Sequence, residues 1–325
     1  MRAAKLLGIA FVTWVACVAY TFNYDPGIVF WKQAVRIKQA WAQKMTREHG
    51  AKILVYGGSS CSFSIDGESL LEKHGLPVVN MGLEAGDGAK MLTQWALSET
   101  RPGDTLIVAL EPGLLTRASE ESSSAVQLSY AMGKPDWIKN IDGSPYPGLV
   151  SSLLMLRPGA LTLCIHVGKI LRGDPGYRYK IKNVHPSGWI QTDVRDARPD
   201  QISTPQEISP AMQHYLQALS DWCKIRHVRL AYSLPWLYVT PAHLSDFQKD
   251  NLSFLIRVSN YMPVLKDPVL GACSTPEYFA DTAWHLTGQG AQVRNEAFAR
   301  QIQTWDVWSK SELEKMLADR SAPPK

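Results

Sequence analysis

The chain has 325 residues, 45% of them apolar and 20% charged, with a formal net charge of +4 and a pI near 8.7. That is an ordinary globular composition, long enough for one large α/β domain or two smaller ones with a sizeable core. The lysines and arginines are spread along the chain and form no stripe, so a nucleic-acid partner is not indicated, whereas an anionic envelope surface suits the mild positive charge.

Residues 6–22 are almost wholly apolar, interrupted only by Thr13 and Thr21 and preceded by Arg2 and Lys5. The run is short for a spanning helix, long for a signal-peptide core and followed by no small-x-small cleavage site, which predicts an uncleaved signal anchor with residues 1–5 as its tail. A lipoprotein reading would place the modification at Cys17, but Trp14 stands where leucine is usual. No face of the run is polar, which disfavours a buried soluble helix. Lys32, Arg36 and Lys38 beyond the anchor nearly balance Arg2 and Lys5, so charge alone leaves the topology open and an extracytoplasmic body is permitted.

A turn is expected over residues 23–27 and a helix over 30–48, either lying on the membrane surface or forming the first packing helix of the body. Residues 53–56 suit a buried strand that stops at Gly57 and Gly58, and a helix is expected over 67–74. A second strand begins at Pro77 and ends at Gly82, a helix covers 89–99, and a third strand spans 104–110 with Glu111-Pro112-Gly113 at its end. Strands alternating with helices predict a parallel sheet with both faces covered. Residues 117–203 break the pattern and read as a helical insertion. Its apolar segment, residues 149–171, is broken by Arg157-Pro158-Gly159 and is too interrupted to predict a second span, though its exposed side suits lipid or a partner. The alternation resumes with a helix over 209–222, a strand over 228–233, a helix over 241–260 and a last short strand at Val264-Leu265. A helix then runs to Trp305, and residues 309–325 read as a flexible charged tail.

Ser59 follows directly on the paired glycines, at the carboxyl end of a strand, where open α/β sheets place their ligands. Far along the chain, Asp281 and His285 stand four residues apart. A histidine deprotonates a serine hydroxyl when a carboxylate holds its other ring nitrogen, so Ser59, His285 and Asp281 form a candidate triad. The remaining histidines, 49, 74, 166, 185, 214, 227 and 243, have no comparable carboxylate in a turn, save His243 near Asp246, which reads as structural. The five cysteines, Cys17, Cys61, Cys164, Cys223 and Cys273, show neither zinc spacing nor a disulfide framework, and no metal or cofactor is indicated.

Three segments, Gly57-Gly58-Ser59-Ser60 with Ile65-Asp66, Val79-Asn80-Met81-Gly82, and Asp281-Thr282-Ala283-Trp284-His285-Leu286, together resemble the SGNH/GDSL hydrolases. The closer likeness is to their membrane-anchored envelope branch, which includes the alginate O-acetylation proteins and the D-alanyl transfer protein of teichoic-acid modification. The resemblance implies a three-layer flavodoxin-like sandwich with a parallel sheet over residues 51–308, behind the N-terminal transmembrane helix. It implies Ser59 as nucleophile, His285 as base and then acid, Asp281 as its orienting partner, and an oxyanion hole of the Ser59 and Gly82 N–H groups. The family's Gly-x-Asn-Asp block is missing; Ala109-Leu110-Glu111-Pro112-Gly113 stands at that strand end. The Asp–His spacing is one residue longer than in the common family pattern.

The implied protein is single-pass in the cytoplasmic (inner) membrane with a periplasmic catalytic domain. It would move acyl groups, acetyl above all, on or off a cell-envelope or secreted polysaccharide, with an MBOAT-type membrane acyltransferase as donor partner. The alternative is a non-catalytic scaffold in a polysaccharide modification or export complex. Trp137, Tyr146, Tyr177, Tyr179 and Trp189 in the insertion are candidates for stacking on sugar rings or for packing.

Overall fold

The computed structural model describes residues 2–116, 122–144, 148–158, 160–173, 176–192, 194–201 and 207–321. The chain opens with an apolar helix α1 (Arg2–Tyr24), of which Ala3–Tyr24 has mean hydropathy 1.8 and is long and apolar enough to cross a membrane. Where a turn is expected, only Asp25 interrupts the helices: its carboxylate accepts from the N–H groups of Gly27 and Ile28 and caps α2 (Pro26–His49), with Pro26 preset at the first position. Of the two readings of this second helix, packing prevails, because Phe30, Trp31, Val35, Trp41 and Met45 are all buried in the main core.

There follow β1 (Ile53–Tyr56), α3 (Ser59–Ser64), α4 (Gly67–His74), β2 (Val78–Asn80), α5 (Gly88–Glu99), β3 (Thr105–Val108) and α6 (Pro112–Thr116). The insertion contributes α7 (Ser123–Ala131), α8 (Leu149–Met155) and α9 (Ala160–Leu171). The regular part then returns with α10 (Pro210–Ile225), β4 (Arg229–Tyr232), β5 (Leu237–Tyr238), α11 (Leu244–Val258), β6 (Val264–Leu265), β7 (Ala272–Cys273), α12 (Gly288–Thr304), β8 (Val307–Trp308) and α13 (Lys310–Ser321).

Six strands form one sheet in the order β2-β1-β3-β4-β6-β8, parallel except at the edge, where β8 runs antiparallel to β6 with Val264 opposite Trp308. That edge corrects the expectation of an all-parallel sheet, and β5 pairs with β7 in a separate small ribbon. Successive residues of the central strands point to opposite faces. Leu54, Tyr56, Leu106, Val108, Leu230 and Tyr232 join the core shared with α2, α5, α10 and α11, while Ile53, Val55, Ile107 and Ala231 pack with Leu70 of α4 and Phe298 and Ala299 of α12. Both faces are therefore covered, which is why these strands read as unbroken apolar runs. At the amino ends of β1 and β3, Lys52 and Asp104 form a buried ion pair at 2.7 Å, and Asp104 also accepts the Lys52 N–H.

The C-terminal segment differs from the expected flexible tail. Ser309 and Glu312 cap each other's backbone at the start of α13, and Leu313 is fully buried, so residues 310–321 form a docked helix. The Ala-Pro-Pro-Lys end lies outside the described residues.

Candidate functional site

The sheet order reverses between β1 and β3: the chain steps outward from β1 to β2, then returns to β3 on the other side. Strand ends diverge there and leave a crevice at their carboxyl edge. Ser59 sits in it as the first residue of α3. A side chain at Gly57 would run into the Ala109 carbonyl, so the close approach of the ends of β1 and β3 requires glycine. Ser59 is half-buried, whereas Ser60 and Ser62 are buried with unpartnered hydroxyls, so Ser59 alone of the three presents an accessible Oγ.

Two buried side chains fix this turn. The Glu111 carboxylate accepts the N–H of Gly58 and of Ser60, each at 3.2 Å, and so straddles Ser59 from the end of β3. Asn80 donates to the carbonyls of Cys61, Ser62 and Ile65 and accepts from Lys38 Nζ at 3.2 Å. Lys38, reaching in from α2, gives its other bonds to the backbone oxygens of Asn80 and Gly188. Burial pushes its ammonium down to about 7, while three carbonyl oxygens match the three donors of the charged form.

Asp281 and His285 are brought together, though in a clamped turn and not on successive turns of a helix. Ala280 N–H donates to the His285 carbonyl, Phe279 bridges to Leu286, and α12 begins only after Thr287 has capped it. His285 Nδ1 lies 2.8 Å from Asp281 Oδ1. With the proton on Nδ1 and donated to that carboxylate, Nε2 is left as the basic nitrogen. The second oxygen, Oδ2, takes the Tyr179 hydroxyl at 2.7 Å and Arg178 Nε at 3.0 Å. Burial pushes the Asp281 carboxyl up, but His285, Tyr179 and Arg178 outweigh it and hold the group below the usual carboxylate range. Tyr179, raised by burial and by the Asp281 charge, stays protonated as a donor.

No hydrogen bond joins Ser59 to His285 among the described residues. Their link is Phe63, one turn along α3 from Ser59, whose ring stacks on the imidazole at 4.0 Å between centroids and 10° between planes. Asn295 of α12 fastens the same junction, donating to the Ser64 carbonyl and accepting the Asp66 N–H.

The oxyanion pair separates. Ser59 opens its helix, so its N–H has no intrahelical acceptor and no other described group takes it. The Gly82 N–H donates to Asn80 Oδ1 at 3.0 Å, an Asx turn, and this corrects the expectation that Gly82 aims a free donor into the crevice. A side chain at Gly82 would collide with the Ser62 N–H, so close approach to α3 accounts for this glycine without any catalytic role.

Among the aromatic candidates, Trp137 is buried against Trp95 and Trp189 is buried, donating to the Phe63 carbonyl; both are packing residues. Tyr146 lies outside the described residues. Tyr177 bonds the Trp31 indole, and Tyr179 belongs to the charge network. Beside Tyr179 opens a cleft of about 370 Å³ lined by Arg178, Lys180, Lys182, Asn183 and Gln191. His243 pairs with Thr240 at 2.7 Å, while His74, His166 and His185 find distant carboxylates on Glu296, Asp25 and Glu68. Glu111 was legible only as a departure at a strand end; Arg178, Lys38 and Phe63 carried no signal of a site role.

No protein-family model matches the chain, and no curated protein or solved structure matches it.

Proposed function

We propose that this chain is a membrane-tethered, extracytoplasmic serine O-acyltransferase or esterase of the SGNH type, single-pass in the cytoplasmic membrane, with a flavodoxin-like three-layer body. The observation that carries the reading is the Asp281–His285 pair, braced by Tyr179 and Arg178 and stacked on the helix that Ser59 opens. The order β2-β1-β3-β4-β6 supports the fold, since it is the doubly wound order with its switch point at β1 and β3.

Ser59 Oγ attacks an ester carbonyl and gives its proton to His285 Nε2. The oxyanion forms against the Ser59 N–H, and its collapse expels the donor alcohol, which takes the proton back from His285. A sugar hydroxyl or water then repeats the sequence on the acyl-serine. Acetyl as the acyl group, a polysaccharide as acceptor and an MBOAT-type donor partner rest on the resemblance of the three segments around Ser59, Gly82 and His285. The polar, cationic cleft beside Tyr179 suits a hydrophilic acceptor. Transfer is favoured over hydrolysis because a permanent anchor keeps the site beside a membrane acyl donor.

The second reading, a scaffold without catalysis, is favoured by the absent Ser59–His285 bond and the committed Gly82 N–H. Incubating the full chain with p-nitrophenyl acetate and reading intact mass separates the two. An acetyl adduct on Ser59 that disappears in Ser59→Ala supports catalysis; no adduct, or full turnover by Ser59→Ala, supports the scaffold.

A further inference from the structure

The insertion helices α8 and α9 are each joined to α1 by a hydrogen bond. Trp14 of α1 donates its indole N–H to the Leu153 carbonyl of α8 at 3.1 Å, and the Tyr20 hydroxyl meets His166 Nδ1 of α9 at 3.3 Å. His166 also approaches Asp25, the residue that caps α2, at 3.6 Å. Both helices are thus fastened to the apolar helix at two heights, six residues apart.

Their remaining faces are apolar and open. Val150 and Leu154 on α8, and Leu161, Ile165 and Ile170 on α9, are all exposed, Val150 and Leu161 to 71% and 74%. Across both helices Lys169 is the sole lysine or arginine and there is no acid. In water such a surface is costly, and five large apolar side chains favour any environment that removes them from it.

The anchor supplies a depth scale. Trp14 lies ten residues before Tyr24, about 15 Å along a helix at about 1.5 Å per residue, and the hydrocarbon core of a bilayer is about 30 Å thick. If Tyr24 marks the interface, Trp14 sits near the midplane, and a carbonyl bonded to its indole is at hydrocarbon depth. We propose that the exposed faces of α8 and α9 are submerged in one leaflet of the bilayer beside α1, so that the body is seated in the membrane surface and not suspended above it. The inference rests on α1 crossing the membrane and is independent of the catalytic reading. Lys169, on α9, has the long stem that lets an ammonium reach the headgroup layer.

The chain carries its own probe. Cys164 on α9 is exposed, Cys61, Cys223 and Cys273 are buried, and Cys17 is removed by Cys17→Ala. The full-length protein is spin-labelled at Cys164, reconstituted in phosphatidylethanolamine–phosphatidylglycerol vesicles, and its collision rates with oxygen and with a nickel chelate are measured by power saturation. Submersion gives a severalfold excess of oxygen over nickel accessibility at Cys164, as at a label on Val12→Cys of α1, and the reverse at Ile225→Cys on α10. A nickel-accessible Cys164 beside an oxygen-rich Val12 position overturns the proposal while leaving the anchor intact. Nickel access at both overturns both. A Cys164 label closed to both reagents also overturns it, because a protein surface or a second copy, and not lipid, would then cover the patch.

Discussion

Glu111 offers the sharpest test of how the Ser59 turn is held. Its two carboxylate oxygens accept the N–H groups on either side of Ser59, each at 3.2 Å, and the residue is only 8% exposed. Glu111→Gln preserves shape but turns one acceptor into a donor, so one N–H loses its partner and faces an amide N–H. A hydrogen bond to a charged group contributes about 1.5–3 kcal/mol, and the orphaned donor adds to the loss. The neutral side chain recovers part of this, because burying an unpaired carboxylate is itself unfavourable. A net destabilisation of about 2 kcal/mol is therefore expected, which corresponds to a fall in Tm of about 3 °C for a chain of 325 residues, whose unfolding entropy grows in proportion to its length. Since Ser59 hangs between the two anchored amides, its Oγ shifts as well, and a displacement of about 1 Å costs on the order of 10² in rate. The assay pairs thermal unfolding of the detergent-solubilised protein with the rate of Ser59 acetylation at a temperature where both forms remain folded. If Glu111→Gln unfolds within about 1 °C of wild type and acylates at the wild-type rate, Glu111 does not hold the turn and the reasoning fails.

Under the proposed mechanism Asp281→Asn should lower acylation by about 10³-fold or more, since an amide no longer fixes the His285 tautomer; an unchanged rate would remove Asp281 from the proposed triad. Tyr179→Phe should cost only about tenfold, about 1.4 kcal/mol, because Arg178 still bonds the same oxygen; comparison of kcat between the two variants checks the ordering. Asp104→Ala leaves Lys52 buried and unpaired and should destabilise by about 3–5 kcal/mol, read by urea unfolding, with no change in acylation of the molecules that stay folded. Burial, with Glu84 beside it, raises the Asp87 carboxyl to about 8, so the folded chain keeps a proton that the unfolded chain releases near pH 4. The folded state then binds more protons between about pH 4 and 8, and this group's contribution falls as pH rises through that window. Asp87→Asn should flatten that slope and raise Tm at pH 8 relative to wild type; an equally steep slope in the variant would refute the assignment.

The elements most legible in the sequence were those whose ends are marked locally. Asp66 caps α4 and Gly75 closes it in a left-handed conformation, so the expected helix 67–74 matches residue for residue. The central strands announced themselves because both faces are buried. The two-residue strands β5, β7 and β8 carry too few positions for any period to register, and β8 reverses the sheet's direction at an edge where sequence offers no constraint. The tail looked flexible because its charges dominate, yet a single buried Leu313 and a Ser–Glu cap decide its fate.

In the site, sequence could propose partners only where they stand close together or fall on a familiar block. Asp281 and His285 satisfy the first condition, Ser59 the second. The residues that brace them come from far away: Tyr179 and Arg178 arrive from the helical insertion, and Lys38 from a helix that could either lie on the membrane surface or pack in the body. Each was visible, but as an aromatic or a charge with several ordinary uses, and only the fold selects among them. The same limit explains Gly82. Its position favoured an oxyanion donor, but Asn80, two residues earlier, has an oxygen within reach of that N–H and three carbonyls of α3 within reach of its amide. Asn80 thus organises the turn at the expense of one donor. Freeing the Gly82 N–H would require Asn80 to turn away from α3 and from Lys38, so any gain in oxyanion stabilisation must exceed the loss of those bonds. Ser59 is consequently left as the donor on which an oxyanion would first depend.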